Sequence, residues 1–141
     1  MTPFPTTLLV TDIGQFGPSL SGGCFIRVPI QPFALNGQNF QTSLRLDDIL
    51  LPSHNLTCLS KTEVVFPVNP ELGYIDGSMY LDGAHHPVDV RHMKFGLAEG
   101  RTISTHITSD IDFGFEGFAD FAKTPWIFDV LLTWTDEVQV A

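Results

Sequence analysis

Helical periodicity is nearly absent from this chain of 141 residues. Short apolar-rich runs bounded by Gly, Pro, Asn or Asp recur from one end to the other instead. An amphipathic helix needs apolar residues three or four apart, whereas a half-buried strand needs alternation. The runs predict strands near 6–12, 23–30, 38–46, 61–68, 73–81, 87–95, 101–113 and 126–135. About eight strands of this kind make an all-β fold, an antiparallel β-sandwich or a partly closed barrel. The connectors carry turn residues: Gly14–Gly23, Pro29–Gly37, Pro52–Thr57, Asp82-Gly83 and Glu99-Gly100. Helical turns are predicted only near Asp47–Leu51 and Gly117–Lys123. The length suits a single domain spanning 1–141, with no room for a second core.

The centre of the chain reads as a three-stranded meander. In 101–113, Ile103, Ile107, Ile111 and Phe113 share one face. The other face carries Thr102, Ser104, His106, Thr108, Asp110 and Asp112, so one side is buried and one wet. The preceding strand is less regular, because Val88 and Val90 have the opposite parity to Met93 and Phe95. A hairpin through Leu97–Glu99 pairs Met93 with Ile103. Another, through Asp82–Pro87, pairs Leu81 with Val88 and Met79 with Val90. All of these point inward only if one residue near Arg91-His92 is skipped. That is the mark of a β-bulge. Bulges re-aim side chains near functional sites, which singles out Arg91 and His92.

Sixteen acids against seven bases give a net charge of −9, a field that repels phosphate backbones. A nucleic-acid role is therefore not expected, nor is attachment to an anionic membrane. A basic protein partner fits the charge better. From Glu99 onward there are eight acids and only Arg101 and Lys123 as bases. Only 16% of residues are charged, against about 25% in an ordinary domain. Much of the surface must therefore be Ser, Thr, Asn and Gln, or be apolar and covered by a partner. The start, Met1–Thr6, lacks a basic and then apolar stretch, so a cytoplasmic protein is expected, with Cys24 and Cys58 as reduced, buried thiols.

The catalytic and metal-binding patterns fail one by one. His85 and His86 are adjacent, which departs from the alternating His-x-His of cupins. Alternation is what puts two imidazoles on one side of a strand. His92 and His106 approach as diagonal neighbours but supply two ligands where zinc needs at least three. Asp110-Ile-Asp112-Phe-Gly114 places glycine at the fifth position of a loop that needs an acid there to bind calcium as an EF-hand does. Gly17-Pro18-Ser19 is not a nucleophile elbow, and Cys24 has no basic neighbour to activate it. No cofactor, metal ligand or catalytic residue is assigned.

The run Phe113, Phe115, Phe118, Phe121, Trp126, Phe128 and Trp134, mixed with carboxylates, is the most unusual composition in the chain. It reads as core plus a lid, or as an aromatic interface with an acidic rim. Hence the candidate binding residues are Arg91, His92, His106, Asp110, Asp112, Glu116, Asp120 and Trp126. The first expectation is a non-enzymatic module that binds a basic protein, such as an inhibitor or immunity-type protein. The alternatives are a barrel holding a small apolar ligand, a histidine-based metal enzyme built on His92 and His106, and a subunit of a homo-oligomer.

Overall fold

Asn36-Gly37 and Asp82-Gly83 both turn with positive φ at the two central residues (52° and 78°, 53° and 75°). This is the left-handed pair that a two-residue hairpin demands, and Asn, Asp and Gly adopt it most readily. Each joins two strands of one sheet. The structure, a computed structural model, describes residues 1–118 and 120–139. In chain order the strands are β1 (Gly14–Pro18), β2 (Cys24–Leu35), β3 (Gln38–Ile49), β4 (Glu63–Val65), β5 (Asp76–Leu81), β6 (Ala84–Glu99), β7 (Thr102–Ile111) and β8 (Thr124–Trp134). A 3-10 turn at Thr6–Leu8 and a short helix α1 (Leu56–Leu59) complete the elements.

Seven strands close on themselves in the order β6-β5-β3-β2-β1-β8-β7, so the fold is an all-β barrel rather than a sandwich. The short β4 lies outside this ring, paired to β6 at Glu63↔Lys94. Every pairing between these strands is antiparallel except β1 with β8, which runs parallel from Gly14↔Leu132 to Phe16↔Trp134. A ring this small leaves room for side chains and little else. Phe16, Ile26, Leu44, Met79, Met93, Phe95, Ile103, Ile107 and Leu132 fill it, all within 1% of complete burial. One end is plugged by Phe4, Phe33, Phe40, Phe113, Phe118 and Phe121, whose rings touch edge-on or stacked.

The expected faces of β7 hold. Ile103, Ile107, Ile111 and Phe113 are fully buried, while His106, Asp110 and Asp112 are half-exposed. The expected bulge is present too: Val90 faces Ser109 and His92 faces Thr108, leaving Arg91 unmatched.

The partners along that ladder differ from expectation. Met93 faces Ile107 rather than Ile103, and Leu81 faces Ala84 rather than Val88. The cause is the tightness of the turns, which need only Asp82-Gly83 and Gly100-Arg101. A second bulge between Phe95 and Ala98 adds to the shift. Because a strand repeats every two residues, slips of an even number leave each side chain on its own face.

Other expectations are corrected outright. Residues 6–12 are not a strand; they begin as a 3-10 turn. The missing strand is β1, inside a stretch that reads as a connector. A Cβ on Gly17 would lie 2.5 Å from the Thr135 carbonyl, so glycine serves crowding here rather than turning. Residues 29–35 continue β2, and 47–49 end β3 instead of coiling. Among the described residues the only α-helical turn is α1, capped by Asn55, whose side chain accepts from the Thr57 and Cys58 amides. Among the described residues, 117–123 form no helix; Ala122 N–H donates to the Thr2 carbonyl, tying this segment to the N-terminus. Cys24 is buried, which pushes its thiol up to about 11, but Cys58 is exposed, contrary to expectation.

Gly77 shows how tightly β5 and β6 are drawn together. A Cβ there would stand 2.2 Å from the Val88 carbonyl oxygen, inside any tolerable contact. Gly77→Ala should therefore cost about 1–3 kcal/mol or more, as overpacking does. Urea unfolding would show it, and an unchanged midpoint would mean that the two strands have slack.

Candidate functional site

The outer wall formed by β6, β7 and β8 carries most of the residues singled out above, and it is a lattice of satisfied charges. Asp89 and Asp110 face each other directly across β6 and β7. Like charges in that position repel. Each has its own cation, Lys123 at 3.2 Å from Asp89 and Arg91 at 2.8 Å from Asp110. Arg91 is the unmatched residue of the bulge, so the bulge sets the base beside the acid it neutralises. His92 lies 3.7 Å from Glu63, which Lys94 also approaches at 3.5 Å. His106 Nδ1 meets Asp129 Oδ1 at 2.8 Å.

The remaining candidates hold loops in place. Asp112 Oδ1 accepts the Gly114 amide, and Glu116 Oε2 accepts the His85 amide at 2.7 Å. Asp120 is exposed, and its carbonyl takes the Thr2 amide. Trp126 is only 2% exposed and stacks on Phe128 at 3.8 Å, so it belongs to the core and offers no binding surface. The eight residues therefore do not converge on one site.

A different region has the character of one. At the barrel end opposite the aromatic plug, Leu20, Leu50 and Leu72 are 70%, 61% and 100% exposed. Leu50 and Leu72 line an open groove of about 370 Å³, together with Ser21, Asp48, Pro70 and Tyr74. Beside it is a hollow of about 120 Å³ lined by Ser19, Leu20, Ser21, Asp47, Asp48 and Asp76. The carboxylates come together because β3 bulges at Asp47-Asp48, between Leu46 and Ile49, with Asp48 at φ 58°. Aspartate is among the few residues that take this conformation at small cost. Asp47 and Asp76 also face each other across β3 and β5, and only Asp47 has a cation, Arg27 at 2.8 Å.

Sequence reasoning passed over this corner because its members come from a connector, a predicted helical turn and the start of a predicted strand, which no single pattern joins. Their one signal is a leucine with no strand to belong to, as in Ser19-Leu20-Ser21 and Glu71-Leu72-Gly73. Among the described residues, no three His, Cys, Asp or Glu side chains are grouped to hold a metal. No helix among them is long and apolar enough to cross a membrane. Compared with protein-family models, with curated proteins and with solved structures, the chain matches none.

Proposed function

We propose that the protein is a non-enzymatic binding module whose acidic, leucine-rimmed groove takes a basic surface of a partner protein. One observation carries the reading: Leu20, Leu50 and Leu72 stand exposed around carboxylates that the chain's own cations only partly neutralise. Apolar anchors inside a charged rim are how protein interfaces are built. A net charge of −9 speeds the approach of a basic partner and disfavours an acidic one. The alternative of a ligand held inside the barrel is less well supported, because the interior is packed with side chains. An inhibitor or immunity-type protein that masks a basic toxin or nuclease has this size and charge. Two free cysteines suit a reducing cytoplasm.

The test is binding to a basic partner by the intact protein and by a variant with Leu20, Leu50 and Leu72 all changed to Ser. Wild type should bind more weakly as salt rises from about 0.01 to about 0.15 M. The triple variant should lose about tenfold or more in affinity, equivalent to about 1.4 kcal/mol. Equal binding by both proteins, or indifference to salt, would overturn the reading.

A further inference from the structure

We infer that the hollow beside Tyr74, between the loop before β5 and the start of β6, holds an arginine side chain of the partner. The inference rests on the binding role just proposed and names the anchor. The hollow is about 130 Å³, with Asp76 and Asp89 in its wall and the rings of Tyr74, His85 and Phe115 around it. It adjoins the leucine groove, because Tyr74 lines both. A side chain seated here lets its backbone continue over Tyr74 toward Leu72.

The charge pattern calls for a cation at this point. Two pairs of carboxylates face each other across strands, Asp47 with Asp76 and Asp89 with Asp110. Arg27, Lys123 and Arg91 neutralise three of the four. Asp76 has no cation partner among the described residues. Like charges placed directly opposite destabilise a sheet, so a guest cation at Asp76 gains energy that a solitary exposed acid does not offer.

The rings decide which cation. His85 sits 5.2 Å from the Tyr80 ring and 5.8 Å from the Phe115 ring. Phe115 is 64% exposed, and the bond from the His85 amide to Glu116 holds its loop over the hairpin. An exposed phenyl ring propped beside carboxylates suits a flat, weakly hydrated cation that stacks and donates two parallel hydrogen bonds. That is guanidinium rather than ammonium.

The experiment titrates the intact, ¹⁵N-labelled protein with N-acetyl-arginine amide, and separately with N-acetyl-lysine amide and calcium, following amide shifts. The arginine compound should move Tyr74, Asp76, His85 and Phe115, and bind about tenfold more tightly than the lysine compound. Asp76→Asn and Phe115→Ala should each weaken it by a similar factor, while Asp112→Asn should not. Equal response to lysine or calcium, shifts confined to other regions, or indifference to Asp76→Asn would overturn the arginine site. The two readings fail separately. If the leucine variant loses the partner while Asp76→Asn affects neither partner nor arginine compound, the groove stands and the anchor falls. If arginine fills the hollow but the leucine variant still binds the partner normally, the anchor stands and the groove falls.

Discussion

Replacing Ile107 with Ala should lower the stability of the barrel by about 2–5 kcal/mol. Replacing Asp112 with Asn should change it by no more than about half a kcal/mol. Ile107 is fully buried between Met93 on β6 and Phe128 on β8, its direct neighbours across the two ladders. Truncation removes three carbons from water-free contact and leaves a hole between strands that the closed ring holds apart. Closure limits how far the wall can collapse, and cost rises with the cavity that remains. Asp112 is half-exposed, and among the described residues its side chain makes one hydrogen bond, accepting the Gly114 amide through Oδ1. Asparagine keeps that oxygen. Urea unfolding of both variants measures the contrast, and equal losses would overturn the assignment of faces in β7.

That contrast was legible because β7 is the most regular strand in the molecule. Its inner residues alternate without interruption from Ile103 to Ile111, and a two-residue period states which side is wet. The bulge at Arg91 was legible for a related reason: two stretches of opposite parity in one strand force a skipped residue. Partners across the ladders were not, since parity is blind to slips of an even number. Strand β1 was hidden by its glycines, which look like turn residues but sit where neighbours leave no room for a side chain, Leu132 and the Arg27 carbonyl at Gly14, Thr135 and Phe25 at Gly17. The acidic corner was hidden by the same ambiguity. Bulges and loops assemble it from β3, β5 and the turn after β1, and no periodicity joins residues that distant in the chain. A polar, surface reading of the adjacent histidines suits His85, which is half-buried, but not His86, which is fully buried.

Acid should destabilise the wild-type protein more than a His86→Leu variant, and the variant should be the more stable of the two even near neutral pH. His86 is fully buried beside the rings of Phe113 and Phe118, at 5.3 and 5.6 Å. Neither ring nitrogen has a hydrogen-bond partner among the described residues. An unpaired buried polar group costs about 1–3 kcal/mol, so a leucine of similar volume should stabilise by an amount of that order. Burial pushes the His86 imidazole below the usual histidine value of 6.5. The nearby Leu81 carbonyl opposes this without meeting hydrogen-bond geometry, His85 reinforces it, and Glu116 and Asp112 oppose it more weakly. The sign follows from linkage. The unfolded chain takes up the proton first, so this site's contribution is intact above about pH 6.5 and is lost as pH falls below it. A proton on His86 would place a charge against Phe113 and Phe118, and the segment carrying those two rings is what must give way to hydrate it. Urea midpoints measured from about pH 7.5 to about pH 5 should therefore diverge, with the wild type falling faster. Parallel curves would mean that the ring reaches water in the folded state, and the plug at that end of the barrel would then be looser than its packing implies.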